Sequence, residues 1–277
     1  MTQDKHGTQI DAGSLEQGKT AAPAPAPALA DGTVHDAAAL RTGDTSYAVK
    51  PIAFYHSAMK EKFGLPRQAG LAAELPGRIV FEPEYRDRSA FRGLEDFSHL
   101  WLIWGFSESR RRGFAPTVRP PRLHGNRRMG VFATRSPFRP NSLGLSAVRL
   151  AAVELETPDG PSLLILGADL LDGTPIFDVK PYIPYSDSIP EAAGGFADSD
   201  PGEAALLVEW IAAAEALLPA DTRAVISRLL ALDPRPAYQD DPERIYGMRY
   251  GRFNVRFSVA AGTCRVLAVE EVPNDRG

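Results

Sequence analysis

Between residues 47 and 175 the apolar residues come in short runs, broken at close intervals by Gly, Pro or Asp. This spacing is the tightest constraint on the fold. YAVKPIAFYHS, GRIVFEP, HLWLIWGF, GVFATRS, LGLSAVRLAAVELE and SLLILGADLLDG each read as a strand between turn signals. SAFRGLEDF starts as a short helix and runs into HLWLIWGF, whose almost continuous apolar character suits a core or a subunit interface. Several short strands with little helix between them predict a small β-barrel or sandwich, not a doubly wound α/β sheet.

The texture changes on either side of this region. Residues 1–45, with AAPAPAPALA at their centre, hold too little apolar surface to offset ordering entropy and read as a disordered, semi-stiff tail. After residue 190 the loop SIPEAAGGFADSDPG leads to EAALLVEWIAAAEALLP, a predicted helix over 203–219 bounded by prolines. DTRAVISRLLALDPRP reads as a second helix with Asp221 as N-cap. Two strands follow, YGMRYGRFNVRFSV and CRVLAVEEV, joined by a hairpin at residues 260–263. The expected organisation is therefore a tail (1–45), a mainly β domain (46–190) and a smaller α+β domain (191–277).

Composition removes several functions. Apolar residues make up 44% of the chain and charged residues 24%, ordinary values for a protein with a real core. Cys264 is the only cysteine, which excludes an intrachain disulfide framework and a thiolate zinc site. The five histidines are scattered and form no metal-binding spacing. There is no run of about 18 apolar residues and no apolar stretch near the N-terminus, so a cytoplasmic protein is expected. No G-x-G-x-x-G lies between a strand and a helix and no G-x-x-x-x-G-K-[ST] occurs, so nothing points to NAD, FAD or ATP.

The formal net charge of −4 argues against a nucleic-acid binder, but it hides an asymmetry. Residues 109–153 contain no Asp, Glu or Lys and ten arginines. Arginine grips phosphate through two parallel hydrogen bonds and stacks on bases, which lysine cannot do. On its own the window fits either a polyanion-facing surface or a basic loop paired with acids elsewhere in the fold. In YGMRYGRFNVRF, Arg249, Arg252 and Arg256 alternate with aromatics, which suits stacked single-stranded bases or, equally, one face of a core strand.

Three proline-fixed polar segments stand out on this β-rich background: FGLPRQ at 63–68, GVFATRSPFRPNSLGLS at 130–146 and DGTPIFDVKPYIPYSDS at 172–188. Loops on rigid scaffolds carry sites. Together with RGLEDFSHLWLIWGF, PTVRPPRLHGNRRMG, LDPRPAY and FNVRF they give the chain a resemblance to the TsaA-like family, also called the YaeB or TrmO family, over about residues 47–272.

That resemblance implies an S-adenosylmethionine-dependent tRNA methyltransferase. It would act on N6 of the threonylcarbamoyl-modified adenosine next to the anticodon, as a homodimer built on a non-Rossmann β-barrel. It implies cofactor contacts at Pro66, Arg67 and Gln68, at Arg135 and Leu145, and at Asp172, Gly173, Thr174 and Pro175. Ser107 and Glu108 occupy cofactor positions where several members carry His and a polar residue, and Ser142 and Leu143 replace the Pro-Ile of RPNPIG. Asn141 and Asp172 are the candidates for orienting or deprotonating the acceptor nitrogen. Arg122, Arg127, Arg128, Arg139, Arg249 and Arg252 are the candidate contacts to a tRNA anticodon stem-loop; no metal is implied. Two other functions remain open on the residues: methylation of a small molecule, and RNA binding without catalysis. The basic window argues against the first, and retention of PRQ, ATRS and DGTP against the second.

Overall fold

Alternation of buried and less buried side chains along most of their length closes six strands into a barrel. The computed structural model describes residues 48–108, 113–120, 123, 127–198, 206–236 and 241–272. The chain runs through β1 (Ala53–Ser57), β2 (Pro76–Phe81), β3 (His99–Gly105), β4 (Thr117–Val118), β5 (Met129–Gly130), β6 (Leu143–Glu154), β7 (Ser162–Leu166) and β8 (Thr174–Pro181). Strands β1-β2-β7-β6-β3-β8 form the closed barrel, with every neighbouring pair antiparallel. Tyr55, Ile79, Leu100, Leu102, Val148, Leu163, Ile165 and Ile176 point inward and fill it. Six strands leave an interior that side chains can pack, so this is a solid core, not a channel. β4 and β5 form a separate two-stranded ribbon.

Past β8 come the one-turn helix α1 (Pro184–Asp187), β9 (Leu207–Trp210), α2 (Ala212–Glu215), α3 (Ala220–Ala231), β10 (Tyr246–Tyr250), β11 (Phe253–Ala260) and β12 (Thr263–Glu271). β10-β11-β12-β9 make a second sheet, parallel only between β12 and β9. α3 turns Ile226, Leu229 and Leu230 into a core shared with Met248, Phe257 and Val266.

This second core also takes Met59, Ala72 and Leu75, which belong to the excursion between β1 and β2. The same excursion is tied down by Arg228 Nε donating to the Leu71 carbonyl at 2.8 Å and by the Gly251 amide donating to Ala58 at 2.7 Å. Gly64 has φ +89°, and a Cβ there would lie 2.6 Å from Met248 Cγ, so only glycine fits. Residues 49–277 accordingly form one compact unit. Among the described residues no helix is long and apolar enough to cross a membrane.

The structure is mainly β, as the spacing predicts, but several elements differ from expectation. The predicted helix over 203–219 is, in its described part, strand β9 followed by the short α2. Its helical propensity gives way because the edge of β12 is open and Val208 and Trp210 pack onto the second core. Asp221 is not the N-cap of α3; Pro219 holds that position and Asp221 lies in the first turn, where its charge suits the helix dipole. GVFATRS is not a strand beyond Gly130, since Val131–Ala133 form a 3-10 turn. YGMRYGRFNVRFSV is two strands folded at Gly251, whose φ is +57°. β8 lies in a segment whose prolines make it read as loop; Pro175 and Pro181 sit at its ends, where a missing N–H is tolerated. The apolar β3 is covered within the chain: Leu100, Leu102 and Trp104 enter the barrel, and Trp101 donates Nε1 to Asp187 at 2.9 Å beneath Tyr182. The expected tail over 1–45 lies outside the described residues.

Candidate active site

The register of the barrel brings the scattered polar segments to one rim. Ser57 at the end of β1 faces Gly77, and Pro76 at the start of β2 faces Leu166 at the end of β7. Gly105 at the end of β3 faces Leu143 at the start of β6, and Thr174 at the start of β8 faces Tyr55. The 58–75 excursion, the long connection from β3 to β6 and the 167–173 connection therefore all leave from the same end of the barrel.

Contacts between these connections are specific. Arg135 donates Nη1 to Gln68 Oε1, joining ATRS to the PRQ loop. The Gly70 amide donates to the Gly167 carbonyl at 2.8 Å, and the Gly167 amide to Leu75 at 2.9 Å. Behind them runs a polar chain: Trp104 Nε1 donates to Ser146 Oγ at 3.0 Å, and Ser146 Oγ donates to Asp169 Oδ1 at 2.6 Å. Gly144 leaves room for the Trp104 indole, which a Cβ would strike. Burial pushes the Asp169 carboxyl above its ordinary value, although Ser146, the backbone N–H groups of Asp169 and Ala69, and the charge of Arg135 work the other way.

Asp172 anchors a turn. Its carboxylate accepts from the Ser57 amide at 3.0 Å and from Lys60 Nζ at 2.5 Å, and His56 Nδ1 lies 3.5 Å away. Burial acts to raise this carboxyl, but Lys60, the Ser57 amide and the charge on His56 outweigh it and hold it below the usual carboxylate range. Both oxygens are thus engaged, which suits a structural anchor better than a proton acceptor. Gly173 follows with φ +75° and open space beside its Cα, while Thr174 and Pro175 are buried in β8.

The other expected site residues divide clearly. Pro66 is buried, and Leu145 stands 55% exposed beside Leu143 at 41%, an apolar wall on this rim. Ser107 and Glu108 are exposed just past β3, and the Phe106 amide donates to Ser142 at 3.1 Å, placing them near the Asn141 turn. The Asn141 carbonyl accepts from the Leu143 amide at 2.8 Å, while its exposed carboxamide has no partner among the described residues. Arg67 turns away from Gln68: its Nη2 donates to the carbonyls of Asp233 at 3.2 Å and Arg235 at 3.4 Å, in the LDPRP turn.

The arginines are less uniform than a single basic face requires. Arg139 is turned inward, its Nη1 donating to Thr134 at 2.7 Å and Val131 at 3.1 Å, with the guanidinium over Phe132. It clasps its own loop rather than presenting a free cation. Arg127 and Arg128 are exposed, and Arg128 Nε donates to Thr117 Oγ1 at 3.1 Å. Arg249 uses Nε on the Gly251 carbonyl at 3.4 Å, and Arg252 lies 3.6 Å from Glu271 and above Phe253. Arg122 lies outside the described residues. Among the described residues no group of His, Cys, Asp and Glu has metal-binding geometry. Asp169 and Ser146 were not singled out by sequence; the signal available was a second Asp three positions before the DGTP turn and a Ser on an otherwise apolar parity of LGLSAVRL.

Known proteins match both parts of the chain. The family model for the tRNA-methyltransferase O N-terminal domain matches residues 54–188, and that for the TrmO C-terminal domain residues 203–272. A tRNA (adenine(37)-N6)-methyltransferase from Escherichia coli is 42% identical over 234 residues, covering 82% of this chain and 99% of its own length. A putative S-adenosylmethionine-dependent methyltransferase, RcsF, from Pseudomonas aeruginosa is 40% identical, covering 76% of this chain and 92% of the relative. The crystal structure of TrmO from P. aeruginosa superposes with a TM-score of 0.67 at 35% identity, over 83% of this chain and 99% of that one.

Proposed function

The chain belongs to the tRNA-methyltransferase O family, and on that footing we propose that it transfers a methyl group from S-adenosylmethionine to N6 of threonylcarbamoyladenosine beside the anticodon of tRNA. The observation that carries the site assignment is the convergence of Gln68, Arg135 and the turn at Asp172 and Gly173 on one barrel rim. S-adenosylmethionine supplies a methyl group already activated by the positive sulfur, so the protein's task is positioning and electrostatics.

The residues present fit such a cofactor. Arg135 has one donor on Gln68 and keeps the others for a carboxylate. Leu143 and Leu145 offer an apolar wall, and Gly173 lets a nucleoside approach the backbone closely. Pro66, Arg67 and Gln68, Arg135 and Leu145, and Asp172 through Pro175 remain the proposed cofactor contacts. Arg67 and Asp172 serve by bracing their loops, and Ser107 and Glu108 by closing the rim beside Asn141.

The acceptor nitrogen carries a proton that must leave and a lone pair delocalised into its ring. The free carboxamide oxygen of Asn141 accepts from that N–H and orients the nitrogen. Arg127, Arg128, Arg249 and Arg252 supply charge for the anticodon stem-loop, with Arg122 as a further candidate. Exposed Phe114 and Phe132 suit contact with a second copy of the chain, and the enzyme works in the cytoplasm as a homodimer. The barrel 46–190 and the α+β part 191–277 divide these tasks, the latter braced against the cofactor loop, with 1–45 as a tail.

The test is methyl transfer from labelled S-adenosylmethionine to tRNA with and without the threonylcarbamoyl group, followed by nucleoside mass analysis. Methylated threonylcarbamoyladenosine from the modified pool alone is the expected result. Absence of transfer to either pool overturns the reading.

A further inference from the structure

Asp169 lies where the rim's parts meet, yet nothing in the assigned chemistry uses it. It is in the connection between β7 and β8, three residues before the Asp172 turn. Its carboxyl takes the Ser146 hydroxyl from β6 at 2.6 Å, the Ala69 amide next to Gln68 bears on it, and the charge of the Arg135 guanidinium acts on it. Each of the three segments proposed to hold the cofactor therefore adjoins this one carboxyl. Arg135 forms no ion pair with it, since its Nη1 is directed to Gln68. The rim thus holds a carboxyl that no cation among the described residues neutralises by contact. Asp169 is half-buried, and a desolvated carboxylate without a contacting cation is costly, a situation found where a ligand supplies the missing charge.

We propose that the Asp169 carboxylate faces the sulfonium of the bound methyl donor and makes the site prefer the charged donor over the neutral thioether product. This rests on the reading of the rim as a methyl-donor site. The donor and the product, S-adenosylhomocysteine, differ by one methyl and one positive charge, so a nearby ionised carboxylate separates them and a neutral one does not. The other titratable or charged groups around Asp169 are Arg135, Tyr55 on β1, whose phenol burial pushes up, and, beyond Tyr55, Asp172 with Lys60 and His56. Tyr55, its phenol pushed up by burial, stays neutral across the working range. Asp172, held low, is already ionised where Asp169 titrates.

Preference for donor over product then rises as Asp169 loses its proton. The experiment measures dissociation constants for S-adenosylmethionine and S-adenosylhomocysteine by calorimetry from the acid limit of the folded protein up to about pH 8, a change of about tenfold in their ratio being expected for one unit of coupled shift. D169N gives a flat, low ratio while still binding the thioether. S146A, which removes a hydrogen bond to the ionised form, moves the midpoint of the change to higher pH and leaves the upper plateau. A readout without ligand accompanies both: the indole N–H resonance of Trp104, linked to Asp169 through Ser146, titrates in the wild type and not in D169N.

D169N with the wild-type pH-dependent ratio overturns the proposal. So does a wild-type protein that binds both ligands with a pH-independent ratio, and in that case the cofactor reading survives. A wild type that binds neither ligand, its Trp104 resonance titrating normally, sinks the cofactor reading and this inference with it.

Discussion

Replacing Arg139 by Ala separates two roles for that residue. In the structure one guanidinium nitrogen holds the carbonyls of Val131 and Thr134, and the group lies 5.5 Å from the Phe132 ring centroid. Hydrogen bonds to a charged donor contribute about 1.5–3 kcal/mol. Because a single nitrogen serves both carbonyls and the residue is only partly buried, about 1.5 kcal/mol for the pair is the fitting figure. Stacking on the exposed Phe132 adds about 0.5 kcal/mol. A loop loosened by about 2 kcal/mol spends far less time in the shape that presents Arg135 to Gln68, which translates to at most about a 30-fold loss in donor affinity. R139A is therefore expected to raise the S-adenosylmethionine dissociation constant about 10- to 30-fold by calorimetry, with tRNA affinity changed less than about threefold. The salt dependence of tRNA binding should keep its slope. The opposite pattern, with donor affinity intact, tRNA affinity reduced and the slope smaller by about one, would mean that the guanidinium leaves its clasp to meet a phosphate, and would refute this reasoning.

Three further outcomes are expected. Gly77→Ala drives a methyl group into the fully buried Tyr55 ring and costs about 1–3 kcal/mol, seen as a lower urea midpoint with an unchanged slope. Asp172→Asn tests acid stability: a carboxyl held low in the fold stabilises it above the unfolded value of 3.8 and loses that contribution as pH falls through the folded value. The variant is thus less stable than wild type at neutral pH, and urea titrations should show the gap narrowing as the pH is taken below the unfolded value of 3.8. Burial pushes the Cys264 thiol up to about 12, so it should react with a thiol reagent only after denaturant unfolds the second core, a fast reaction in native buffer being the contrary result.

The barrel was legible because its strands alternate: Gly77, Ile79 and Phe81, or Leu100, Leu102 and Trp104, are buried on one parity. β8 was hidden, since Pro175 and Pro181 signal a loop unless their positions at the strand ends are known. Residues 206–219 misled for a different reason. They are apolar on most sides, so periodicity could not choose between helix and strand, and the open edge of β12 decided. The loops of the site could be named from their motifs, but the direction of each side chain could not. Arg67, Arg139 and Asp172 look like ligand-binding groups by type, and in the structure they also hold carbonyls, an amide and a lysine of the protein itself. Asp169 escaped notice because its distinction is environmental: Ser146, Ala69 and Arg135 come from segments far away in sequence.

The shared excursion between β1 and β2 has a consequence for how the protein is made. Met59, Ala72 and Leu75 leave the ribosome early, while their partners Met248, Phe257 and Val266 are among the last residues translated. At typical elongation rates the interval is roughly 10–40 s. Throughout it the loop that carries Gln68 lacks its packing surface, and in its last part, once β8 (Thr174–Pro181) has been made, every barrel strand is already present. The proposed methyl-donor site is therefore completed only when the chain is, so a stalled or shortened polypeptide yields a closed barrel with an unfinished rim and three bare apolar side chains for a chaperone or protease to find.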